Sequence, residues 1–117
     1  MITVLVLAVL GQPVLAGMFL TGDVDAIGVH GIVGTLLALW TMVLIGAALA
    51  YVVGGRGRLW VLPVSVLLFL AVGFQIGAGF ARQLELHVPL GVVIVTTSVL
   101  LVGWVWTPLA ARPRGTR

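Results

Sequence analysis

The chain has 117 residues, of which 62% are hydrophobic and only 8% charged. A water-soluble domain clothes its surface with charge on about a quarter of its residues, so six arginines and three acids are too few and lipid must be the outer solvent. The absence of cysteine excludes disulfides and thiol chemistry. The arginines are scattered over loops and tail with no basic, aromatic-studded face, which excludes nucleic acid as a partner despite a net charge of +3.

Four apolar runs follow in chain order, at about 2–20, 27–53, 59–80 and 87–106. Each reaches the roughly 20 residues that a helix needs to cross about 30 Å of hydrocarbon. The runs are continuously apolar rather than alternating, which excludes barrel strands, and in lipid every peptide group must find its partner within the segment. The first run contains Gln12 and Pro13, and the proline predicts a kink. Val14-Leu15-Ala16 is a weak cleavage site, but no basic segment precedes it, so the run is taken as a retained helix. Polar breaks at Thr21–Asp25, Gly54–Arg58 and Ala81–Glu85 separate the runs, and connections this short force neighbouring helices to be antiparallel. The expected fold is all-α: one domain over residues 1–111, an up-down-up-down four-helix transmembrane bundle. Residues 112–117, with Arg112, Arg114 and Arg117, are expected to form a frayed basic tail.

Arg56 and Arg58 share one side of the membrane with that tail, whereas Arg82, Asp23, Asp25 and Glu85 fall on the other. The positive-inside rule then puts both termini in the cytoplasm, and the all-arginine cation usage points to the inner membrane of a GC-rich bacterium. Tyr51, Trp60, Trp104 and Trp106 fall at the cytoplasmic ends, where an aromatic belt belongs.

The two halves repeat. Gln12, Ala16-Gly17, Phe19, His30 and Gly34 are echoed by Gln75, Ala78-Gly79-Phe80, His87 and Gly91, with a shorter outer loop in the second half. Two helical hairpins related by a pseudo-two-fold axis along the membrane normal account for this pattern. His30 and His87 are the only histidines. Both open even-numbered helices at the outer face, and those helices are diagonal neighbours in such a bundle, so the imidazoles can meet across the core. A haem iron needs one imidazole on each side of its ring. Gly34 and Gly91, four residues on and on the same helix face, would let a flat macrocycle lie against the backbone; small-residue helix packing is the commoner use of such glycines. Gln12 and Gln75 must face inward, since an unpaired amide in hydrocarbon costs several kcal/mol; they serve as interhelical glue or bond a haem edge. Arg82 pairs with a nearby acid or with haem propionates. Two histidines with Asp25 or Glu85 offer zinc no recognisable ligand spacing.

The paired Gln, Ala-Gly and His-x-x-x-Gly units resemble those of a group of small four-helix bacterial membrane proteins, and look like half of a haem A synthase, which is similarly a four-helix bundle with histidines reaching a central haem. The resemblance spans most of the helical chain on short motifs, and it implies His30 and His87 as axial ligands of a haem b. No carboxylate is expected on the helix that carries His30, which sets the chain apart from the oxidative chemistry of the synthase and leaves a passive b-type cytochrome or a haem-holding accessory subunit, serving a quinone or a redox partner subunit. A cofactor-free assembly subunit is the alternative, forming homo- or hetero-oligomers through glycines of the second helix (Gly31, Gly34, Gly46) and third helix (Gly73, Gly77, Gly79). A transporter would need an uncharged path such as Gln12, Gln75, Thr41, Thr96 and Thr97. No catalytic set for hydrolysis or phosphoryl transfer is present.

Overall fold

A computed structural model describes residues 1–115. They form four long helices, α1 (Ile2–Leu20), α2 (Asp25–Val53), α3 (Val61–Phe80) and α4 (Leu84–Val105), and a short α5 (Pro108–Ala111). Each of the four is long and apolar enough to cross a bilayer. Every long helix packs on two others, α1 on α2, α2 on α3, α3 on α4 and α4 back on α1, so the ring closes and the diagonal pairs α1/α3 and α2/α4 face one another across the core. The bundle measures 54 × 22 × 21 Å.

Local chemistry moves several boundaries. The Asp23 carboxylate accepts the N–H groups of Asp25 and Ala26 at 3.2 and 3.3 Å, satisfying donors that a helix start leaves free, and α2 therefore begins at Asp25. Similarly α4 begins at Leu84 with Glu85 in its first turn, where a carboxylate meets the positive end of the helix dipole. Two expectations are corrected by this. Asp25 and Glu85 are helical rather than loop residues, and the helix that carries His30 does carry a carboxylate, though an exposed one at its mouth. At the other end Pro108 opens the short α5, and the Arg114 N–H donates to the Arg56 carbonyl at 2.8 Å. Arg117 lies outside the described residues. Helix α1 runs unbroken through Pro13.

The pseudo-two-fold relation extends through the core. Counting from the glutamines, Val9 and Leu5 on α1 match Val72 and Leu68 on α3; counting from the histidines, Leu37 and Leu44 on α2 match Ile94 and Leu101 on α4. All eight are buried and belong to one cluster. Between the last two layers lie Thr41 and its counterpart Ser98, both fully buried. The Thr41 hydroxyl donates to carbonyls of its own helix, whereas Ser98 Oγ has no partner. The register differs by one residue from the motif alignment: core and glutamines pair Ala16 with Gly79, not Ala16-Gly17 with Ala78-Gly79. The shortening of the second half lies in the helix as well as the loop, since α1 continues eight residues past Gln12 and α3 only five past Gln75. Gly22 and Arg82 then occupy the same place, two residues past their helices, both left-handed at φ +108° and +57°.

Side chains such as Leu20 and Phe80, about four-fifths exposed on the bundle, face the lipid. Charge is segregated along the long axis. Asp23, Asp25, Arg82 and Glu85 flank the ends of the helices near the histidines; Arg56, Arg58, Arg112 and Arg114 lie at the opposite end. There the aromatics form a cluster: Trp104 meets Trp60 and Tyr51 edge-on at 4.6 and 6.2 Å, and the Tyr51 hydroxyl donates to the Ala110 carbonyl at 2.9 Å. Gly57 lies against the Tyr51 ring, and a side chain there would occupy the space of the ring itself.

Candidate functional site: a pair of imidazoles across the core

The diagonal placement of α2 and α4 brings His30 and His87 together, with ring centroids 6.0 Å apart and planes inclined by 49°. Each is anchored by the preceding helix. His30 Nδ1 lies 3.1 Å from the Gln12 carbonyl, and His87 Nδ1 lies 2.9 Å from the Gln75 carbonyl. The glutamine motif thus contributes a backbone group to the site as well as a side chain, a role that sequence patterns hide.

The bond fixes the proton at His87. A carbonyl only accepts, so Nδ1 must donate, and in the neutral ring Nε2 then keeps its lone pair. Donation of one ring N–H to a carbonyl is the usual arrangement of an imidazole whose other nitrogen binds metal. At His30 the Gln12 side chain also competes. Its amide is best satisfied with Oε1 accepting from the Gly34 N–H at 3.1 Å, and that brings Nε2 to 2.7 Å from His30 Nδ1. The carbonyl asks Nδ1 for a proton while the amide nitrogen asks it for a lone pair, so the two imidazoles are held differently.

The small residues fit around these contacts. A Cβ on Gly79 would stand 2.9 Å from Cε1 and 3.0 Å from Nδ1 of His87, so only glycine leaves the ring its place. The face of Gly91 is covered by the Gln75 amide, whose Nε2 would be 2.9 Å from a Cβ there. Gly34 has only Ile76 nearby, at 4.0 Å. The His-x-x-x-Gly spacing therefore seats a glutamine in both halves, by side-chain packing over Gly91 and by a bond to the Gly34 N–H. Gln75 Oε1 is buried without a donor.

Other candidates are dispersed. Gly31, Gly46, Gly73 and Gly77 have open space around them and face outward, whereas Gly34 and Gly79 face inward, so neither helix presents its glycines as one surface. Thr96 lies on the outside of the bundle, which interrupts the polar path from Gln12 and Gln75 through Thr41 and Thr97. Among the described residues no three His, Asp or Glu side chains converge, so neither Asp25 nor Glu85 completes a zinc site with the histidines. Arg82 lies exposed at the same end as the pair. Compared with models of known protein families, with curated proteins and with solved structures, the chain matches none.

Proposed function

We propose that the protein binds haem b, with His30 and His87 as its two axial ligands, and serves electron transfer in a bacterial cytoplasmic membrane, its termini on the cytoplasmic side. The observation that carries this is the imidazole pair. The ring centroids lie 6.0 Å apart, a separation at which one iron, about 2 Å from each ligating nitrogen, could reach both rings. Ligation through Nε2 selects the Nδ1–H tautomer at both histidines, and the Gln12 and Gln75 carbonyls are placed to take those protons. At His30 the Gln12 amide would then turn its oxygen to the ring.

Bound there, a haem iron supplies one-electron redox chemistry. The residues narrow its use. With His30 and His87 both engaged, no open position would remain on the iron for oxygen, and Asp25 is exposed at the helix mouth rather than directed by any contact to the site. This favours electron passage to a quinone or a partner subunit over oxidation of the macrocycle. The test is an absorption spectrum of the full chain purified in detergent from haem-replete cells. A Soret band and sharp reduced low-spin bands are expected; a colourless protein ends this proposal.

Arg82 offers a second check. A non-glycine residue in the left-handed region carries about 1–2 kcal/mol of strain, and its counterpart in the first half is a glycine. Arg82→Gly should therefore raise the thermal stability of the haem-free protein by about 1 kcal/mol. If the guanidinium meets haem propionates, the same change should speed haem loss from the loaded protein. Melting curves of both forms, compared with wild type, separate the two effects.

A further inference from the structure

The end remote from the histidines carries a feature that haem binding leaves unused. Arg56, Arg58, Arg112 and Arg114 collect there, and every acid of the chain lies at the other end of a 54 Å bundle. Among the described residues no acidic side chain lies beside these arginines. The loop and the segment after α5 are tied together by the bond from the Arg114 N–H to the Arg56 carbonyl, and Arg56 is held at φ +51°. Nη1 of Arg114 is buried with no hydrogen-bond partner. An unpaired guanidinium nitrogen withdrawn from solvent is costly unless an anion meets it.

Beside this cluster the bundle has a half-open cavity of about 430 Å³ whose lining includes Leu44, Ala47, Tyr51, Leu101, Trp104 and Ala110. Its size is within the range of about 300–1,000 Å³ typical of ligand pockets. The Tyr51 bond to Ala110 and the packing of Gly57 on the Tyr51 ring connect its wall directly to the arginine-bearing loop. An apolar cavity next to a loop and a terminal segment that carry arginines, at a membrane interface, matches one class of molecule that the surroundings supply in abundance.

We propose that this end binds an anionic phospholipid, with an acyl chain in the cavity and the headgroup phosphate on Arg56 and Arg114. Basic residues at a membrane surface each favour anionic lipid by about fivefold, so two arginines give a preference of about 25-fold over a zwitterionic lipid. The site is independent of the histidine pair.

The full chain is placed in phosphatidylcholine nanodiscs doped with phosphatidylglycerol whose acyl chains are brominated, and quenching of tryptophan fluorescence is followed; Trp104, on the cavity wall, reports the chain. Brominated phosphatidylglycerol should quench at far lower mole fraction than brominated phosphatidylcholine, and Trp104→Phe should remove most of the difference. The double variant Arg56→Gln, Arg114→Gln should bring the two lipids together. Ala47→Leu, which narrows the cavity at a wall position that carries no charge, should sharply reduce quenching at Trp104 by either lipid. Inorganic phosphate should not displace the lipid. Equal quenching by both lipids, persistence of the effect in Ala47→Leu, or displacement by phosphate alone would each overturn the proposal.

Discussion

Replacing either histidine side chain by a methyl group, as His30→Ala or His87→Ala, is expected to abolish the low-spin haem spectrum completely instead of weakening it. Low-spin iron held by two imidazoles would require both rings, and the chain has no other histidine and no cysteine to replace one. Changes at the glutamines should be milder. The contacts that orient the rings run to the backbone carbonyls of Gln12 and Gln75, which survive in Gln12→Ala and Gln75→Ala. Loss of an orienting partner typically costs about 10–100-fold in metal affinity; loss of a side chain that leaves the partner in place should cost less. Reduced-minus-oxidised spectra of the four variants give the ranking. Low-spin bands persisting unchanged in either histidine variant would exclude axial ligation by that residue.

Gly79→Leu is expected to be nearly as damaging, although Gly79 is not itself a ligand. Even the first added carbon would stand 2.9 Å from the His87 ring, and the ring is pinned by its 2.9 Å bond to the Gln75 carbonyl. Overpacking of this kind costs about 1–3 kcal/mol of stability, and it must also turn the imidazole away from its orienting partner. Haem content should fall by about tenfold or more. Two other glycines calibrate the effect. A Cβ on Gly91 meets only the mobile end of Gln75, which can shift, and Gly77 has nothing within 4 Å. Thermal unfolding and haem occupancy should therefore order the variants Gly79, then Gly91, with Gly77→Ala near wild type. Equal tolerance at Gly79 and Gly77 would mean that the His87 ring is not confined as described.

The bilayer-spanning helices, their antiparallel order and the meeting of His30 with His87 were legible in the sequence, because lipid demands long apolar runs and an even-numbered helix order fixes which residues share a depth. Finer features were not. The start of α2 depends on the Asp23 carboxylate folding back on two N–H groups, a local contact that outcompetes the hydropathy boundary at Ile27. The true register of the repeat, Ala16 against Gly79, was hidden because an Ala-Gly pair occurs in both halves one residue out of step. The roles of Gly79 and Gly91 could not be read from spacing, since only coordinates show that one confines an imidazole and the other carries a glutamine. A signal was available for Arg82: its half ends in a non-glycine residue where the first half has Gly22.

The separation of acids from arginines along the long axis also gives the molecule a direction in an electric field. An energised membrane does work of about 2.3 kcal/mol on each elementary charge carried across it per 100 mV. Inverting this protein would carry Arg56, Arg58, Arg112 and Arg114 toward the positive side and Asp23, Asp25 and Glu85 toward the negative one, each against the voltage and only Arg82 with it. Once inserted with its arginines on the negative side, the bundle is latched there by the potential itself, and the latch tightens as the membrane charges.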